Sequence, residues 1–112
     1  MNKTGGNKMP KFYVTWQLNP QWTPATPEER VKLWLSLLEM VKPDIKAGKA
    51  KDWGCVPGEA CGYTIREDVS EVELFTALLK WIPYVNFQVK PILTVEQTEE
   101  SIKKAVVAAQ AK

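Results

Sequence analysis

The chain has 112 residues, 45% of them hydrophobic and 25% charged, with a net charge of +2. This length and balance bound it to one globular domain, and the small charge gives no argument for nucleic acid or an anionic membrane surface as a partner. It contains no histidine, which excludes the usual general base near neutral pH, the commonest metal ligand, a proximal haem ligand and the Ser-His-Asp triad.

Residues 1–9 carry Gly5-Gly6 and no periodicity, so a flexible tail is expected ahead of a single domain over 10–112. Lys11 to Gln17 alternates Phe12, Val14 and Trp16 against Tyr13, Thr15 and Gln17, the pattern of a half-buried strand. The next stretch holds Pro20 and Pro24, which bar regular structure, and Trp22. A first helix starts after Thr26, with Pro27 at its favoured first position and an apolar face including Leu33, Leu37, Leu38 and Val41. Pro43 is expected to kink or interrupt it, and Gly48 to end it. Lys42, Lys46, Lys49 and Lys51 gather at that end, suiting a helix C-terminus or, in a sharper reading, an anion site.

Lys51 to Val56 reads as the second strand, Pro57-Gly58-Glu59 as a turn and Ala60 to Glu67 as the third strand. A second helix follows Ser70, with Val69 placed to staple on Leu74. Asn86 to Leu93 is the fourth strand, and Pro91 marks it as an edge or a strand end. A third helix runs from Val95 towards Ala109. All three helices are announced by capping boxes: Thr26 with Glu29, Ser70 with Glu73, Thr94 with Gln97.

The order βαββαβ plus a helix is the ferredoxin-like α+β pattern. It predicts a four-stranded antiparallel sheet ordered 4-1-3-2, with two helices on one face and an extra C-terminal helix. Strand alternation then assigns faces. Phe12, Val14, Trp16, Trp53, Cys55, Cys61, Tyr63, Ile65, Phe87 and Val89 are expected under the helices. Tyr13, Thr15, Gln17, Asp52, Gly54, Val56, Gly62, Thr64, Arg66, Gln88 and Lys90 are expected on the open face.

That open face supplies the candidate site. Tyr13, Asp52 and Arg66 combine an acid, a base and a phenol that could support proton transfer, though an ordinary ion pair explains the charges equally simply. Tyr13, Thr15, Gln17, Thr64 and Lys90 are the candidate ligand-binding residues. Trp16, Trp34, Trp53 and Trp81 read as core, while Trp22 and Tyr84 are loop aromatics that could border a pocket. If Pro57–Glu59 is a three-residue loop, Cys55 faces Cys61, Trp53 faces Tyr63 and Gly54 faces Gly62. The cysteine pair is then two reduced thiols or a redox switch. Too few Cys and His are present for a structural zinc site.

RNA-recognition domains share this strand order, and Phe12-Tyr13-Val14 and Gly62-Tyr63 match fragments of their motifs, without the basic lead residue or the second stacking aromatic. A single-stranded RNA-binding module is therefore an alternative. A metal chaperone would need CxxC where Asn19-Pro20-Gln21-Trp22 stands.

Phe12-Tyr13-Val14-Thr15-Trp16, Glu28-Glu29-Arg30-Val31, Lys51-Asp52-Trp53-Gly54 and Gly62-Tyr63 together resemble small proteins of a domain-of-unknown-function family. That family is similar in pattern to the dimeric α+β barrel superfamily, which includes muconolactone-isomerase-like proteins, cofactor-independent monooxygenases and stress-responsive barrel proteins. The resemblance covers roughly residues 10 to 105. It implies a homodimer whose two sheets enclose a cavity for a small organic ligand, and it transfers no catalytic residue. It leaves open a binding protein, or a cofactor-free isomerase or monooxygenase. No cofactor is expected. With no spanning segment and no signal segment evident, the expected location is cytoplasmic and no membrane partner is expected.

Overall fold

The computed structural model describes residues 10–110; the expected tail over residues 1–9 lies outside them. The elements run β1 (Lys11–Leu18), α1 (Pro27–Lys46), β2 (Ala50–Cys55), β3 (Cys61–Glu67), α2 (Glu71–Leu79), β4 (Val85–Ile92) and α3 (Val95–Gln110). The four strands make one antiparallel sheet in the order β2-β3-β1-β4, which reads 4-1-3-2 from the β4 edge. The fold is α+β, with three α-helices among the described residues. No helix there is long and apolar enough to cross a membrane.

The capping boxes start the helices as expected, with one difference. Ser70 and Glu73 exchange both bonds (2.9 and 3.1 Å), and so do Thr94 and Gln97 (2.9 and 3.1 Å). At Thr26 the hydroxyl accepts from the Glu29 N–H but donates to the Glu29 carboxylate, leaving the reciprocal arm unmade.

Pro43 neither breaks nor interrupts α1, which runs on to Lys46. The proline forfeits one bond to the preceding turn, but its own carbonyl accepts from Ala47 N–H at 2.9 Å. Gly48, at φ +78°, ends the helix, with Gly48 N–H on the Ile45 carbonyl and Lys49 N–H on the Asp44 carbonyl. That is a Schellman closure, which glycine adopts without steric cost. The Pro20–Trp22 stretch, expected to be irregular, is a single 3-10 turn capped by Asn19.

The core lies where β1 meets the helices. Phe12 and Val14 are essentially inaccessible and cluster with Leu37 of α1, Leu74 and Leu78 of α2, Trp81 and Val85. Both α1 and α2 therefore cover the same face of the sheet. Every residue of α3 except Gln97 is exposed.

The expected faces hold for β1, β2 and β4 but not for β3. Phe12 pairs with Arg66, Val14 with Thr64 and Trp16 with Gly62, so Gly62, Thr64 and Arg66 lie under the helices. Cys61, Tyr63 and Ile65 face the open side. The cause is the length of the β2–β3 loop. Val56 N–H bonds the Cys61 carbonyl, leaving four residues, Pro57–Ala60, between the paired positions. Within them Glu59 N–H bonds the Val56 carbonyl, with Pro57 second and Gly58 third at φ +83°. This is a type II turn, and Ala60 follows it as one further residue. A slip of one residue exchanges the two faces of a strand. Consequently Cys55 pairs with Gly62, Gly54 with Tyr63 and Trp53 with Thr64, correcting all three expected pairings. A bulge at Lys51 keeps Ala50 and Trp53 both on the helix side.

Candidate functional site

Between the helices and the sheet, beside the β2–β3 hairpin, lies a cavity of about 660 Å³. Its walls bring together Trp16, Trp34, Trp53 and Trp81, the four tryptophans expected in the core, together with Leu37 and Phe87. The hairpin residues Cys55, Gly58, Glu59 and Ala60 border it, and Cys55 is exposed despite its helix-side phase. Trp16 and Trp53 stack with ring centroids 5.4 Å apart and planes at 14°. Gly62 makes that stack possible: a Cβ there would run into both the Trp16 ring and the Gly54 carbonyl oxygen.

One end of the cavity is polar. Arg66, 5% exposed, donates to the Asp44 carboxylate at 3.2 Å. Lys80, at the end of α2, reaches the same carboxylate oxygen at 3.4 Å. Asp44 thus joins the last turn of α1 to β3 and α2. Among the described residues, four buried side-chain polar atoms have no protein partner: Trp16 Nε1, Trp81 Nε1, Thr64 Oγ1 and Arg66 Nε. Each belongs to a residue that lines this cavity. Buried donors of this kind normally find acceptors, since leaving one unpaired costs about 1–3 kcal/mol.

The open face is organised differently. The Tyr63 ring lies over Gly54, where a Cβ would come within 2.6 Å of it, and its hydroxyl donates to Asp52 Oδ1 at 3.0 Å. That bond, with some desolvation, raises the Tyr63 phenol above its ordinary pKa. Tyr13 lies beside it, ring centroids 6.4 Å apart and planes at 28°. Cys61 sits on this face, its thiol pushed up by desolvation and by the nearby Glu59 carboxylate.

The sequence-derived site is therefore divided between two faces. Tyr13, Thr15, Gln17, Asp52 and Lys90 share the open face, as the register with β3 and β4 places them. Thr64 and Arg66 are on the other side of the sheet, so Tyr13, Asp52 and Arg66 do not form one acid–base constellation. Trp22 and Tyr84 pack edge-on against each other, centroids 6.3 Å apart, and neither borders the cavity. Cys55 and Cys61 are free thiols on opposite faces. Among the described residues no three Cys, Asp or Glu side chains converge as a metal site.

Sequence reasoning missed Asp44. A signal was present: Leu33, Leu37, Met40 and Asp44 follow 4-3-4 spacing, which puts a carboxylate on the buried stripe of a continuous helix. Expecting a break at Pro43 removed it from that stripe.

A small antiparallel α+β domain with an apolar, tryptophan-walled cavity between helices and sheet is the class that fold and site define. The chain belongs to the DUF3303 family, a domain of unknown function, whose model matches residues 10–106. Comparison with curated proteins gives no match.

Proposed function

We propose that this protein is a ferredoxin-like small-molecule-binding protein whose ligand site is the cavity between the helices and the sheet. The observation that carries this reading is the orientation of β3. The strand turns Gly62, Thr64 and Arg66 towards an apolar cavity and Tyr63 and Ile65 away from the core, against the hydrophobic preference of its own sequence. Folded sequences break such local rules mainly where function requires it. The cavity has the volume and the largely apolar walls typical of ligand sites. It replaces the expected cavity between two sheets as the candidate site. Asp44, the carboxylate at the polar end, is engaged by Arg66 and Lys80, which favours binding over an isomerase or oxygenase.

The test is a small-molecule screen read by intrinsic tryptophan fluorescence. Four of the five tryptophans line the cavity, so a bound aromatic changes the emission strongly. A screen in which no compound alters emission or raises the melting temperature overturns the reading.

A second feature supports a homodimer formed through the open face. That face carries the half-buried Tyr63 and Ile65, and α3 leaves Ile102 and Val106 at least half exposed. Closed two-fold dimers are the commonest way to cover such surface. Sedimentation at micromolar concentration is expected to give a dimer; a clean monomer rejects it. The adjacent Tyr13 and Tyr63 are also what an RNA-binding sheet would use for stacking, but Asp52 holds a carboxylate against Tyr63, which disfavours a phosphate backbone.

A further inference from the structure

The residues around the cavity turn little polarity towards it. Trp16 Nε1, Trp81 Nε1, Thr64 Oγ1 and Arg66 Nε are essentially inaccessible, so these donors are not presented to a guest. Charge is balanced as well. Arg66 and Asp44 form an ion pair at 3.2 Å with side chains only 6% and 13% exposed. An anion placed beside that pair meets Asp44, and a cation meets Arg66. Either would be buried without a partner of its own, which strongly disfavours binding. Lys80, which also reaches Asp44, is part-exposed and outside the lining. Glu59, the other charged residue of the lining, stands exposed on the hairpin with its carboxylate at the Cys61 thiol, where solvent screens it.

What the cavity does offer is ring surface. Trp16, Trp34, Trp53, Trp81 and Phe87 contribute to a wall whose accessible area is almost all apolar, and the Trp16 and Trp53 rings lie at 14° to one another. An aromatic guest gains on such a wall twice, by burying apolar area and by ring-on-ring geometry. A flat rigid guest also has few rotors to freeze. Resting on the reading of this cavity as the binding site, we infer that its ligand class is an uncharged aromatic molecule. Its rings lie against the indoles, and the Arg66–Asp44 pair stays intact at the polar end. A bicyclic or tricyclic skeleton suits a volume of about 660 Å³.

The experiment uses the full chain with four probes: uncharged 2-acetylnaphthalene, anionic 2-naphthoate, cationic trimethyl-2-naphthylammonium and ring-free 1-decanol. Binding is followed by tryptophan emission and by thiol alkylation. Cys55 borders the cavity and Cys61 faces the open side, so the two thiols report which face is occupied. 2-Acetylnaphthalene is expected to protect Cys55 but not Cys61. It should bind about tenfold or more tighter than either charged probe and about fivefold tighter than decanol. Trp53→Leu, which keeps an apolar side chain and removes a ring, is expected to weaken 2-acetylnaphthalene about fivefold and to leave decanol unchanged. A charged probe or decanol that binds as tightly as 2-acetylnaphthalene while protecting Cys55, or an equal loss for decanol in the variant, overturns the uncharged aromatic class and leaves the cavity reading standing. Failure of all four probes to protect Cys55, or protection of Cys61 in its place, overturns both.

Discussion

On the helix side of the sheet Trp16 lies across Gly62; on the open side Tyr63 lies across Gly54. The two arrangements share a device, a glycine that lets an aromatic ring reach over the strand, but they treat polarity in opposite ways. Tyr63 ends on Asp52, a satisfied and accessible hydrogen bond. Trp16 ends on an indole N–H with no protein partner, in company with Thr64, Arg66 and Trp81. A face whose polar groups are satisfied carries no penalty for them, whereas each buried donor left unpaired is costly. The open face carries more polar side chains, yet the buried unpaired ones lie on the helix side.

The sharpest way to break this contrast is to remove one carboxylate from each face. Asp44→Ala leaves Arg66 charged, buried and unpaired, and is expected to cost about 3 kcal/mol or more in urea denaturation. Asp52→Ala removes an exposed partner of Tyr63 and is expected to cost under about 1 kcal/mol. Equal losses would mean that Arg66 is better solvated than its surroundings imply. The glycines give the next largest effect. Gly62→Ala drives a Cβ into backbone as well as into Trp16, and neither can yield cheaply, so a loss of about 3 kcal/mol is expected. Gly54→Ala meets only the Tyr63 ring, which can swing towards solvent, and about 1 kcal/mol is expected.

How far these faces were legible in the sequence turns on one loop. Hydroxyl-to-Glu or -Gln spacing located all three helix starts, because capping is a local matter decided within four residues. Alternation placed β1, β2 and β4 correctly for a similar reason: each has an apolar set that matches its buried face. In β3 the apolar set, Cys61, Tyr63 and Ile65, is on the open side. Local hydrophobicity points the wrong way there, and only the count of turn residues could have corrected it. Pro57-Gly58 announces a type II turn whose closing residue is Glu59. The additional Ala60, which also accepts a bond from Leu18 N–H at 2.9 Å, carries no sequence signature. The site was lost with the strand. Thr64 and Arg66 were assigned to the wrong face, and the tryptophans were read as core because periodicity cannot distinguish a packed wall from a cavity wall.

The thiols sharpen the comparison by rate. Cys55 is exposed at the cavity border, whereas Cys61 is half-buried with its pKa raised by desolvation and Glu59. At neutral pH iodoacetamide is expected to modify Cys55 several-fold faster. The gap should narrow as pH rises and the Cys61 thiolate forms; a constant ratio across the range would show that access alone decides it.

The smallest effect is a test of the open face by pH. Asp52 accepts the Tyr63 hydroxyl proton, and the folded phenol is held above its ordinary pKa. A raised folded pKa means that the folded state favours the protonated form. Its contribution to stability is complete below the unfolded tyrosine value, about 10, and is lost as pH rises through the higher folded value. Urea midpoints of the parent protein are therefore expected to fall over that alkaline interval more steeply than those of Asp52→Asn, which has little of this contribution to lose. In ultraviolet phenolate titrations the same substitution should move the highest-pH tyrosine component downward. Parallel stability curves with an unmoved titration would show that the Tyr63–Asp52 bond does not persist in solution, and the open face would then present a free phenol beside Tyr13.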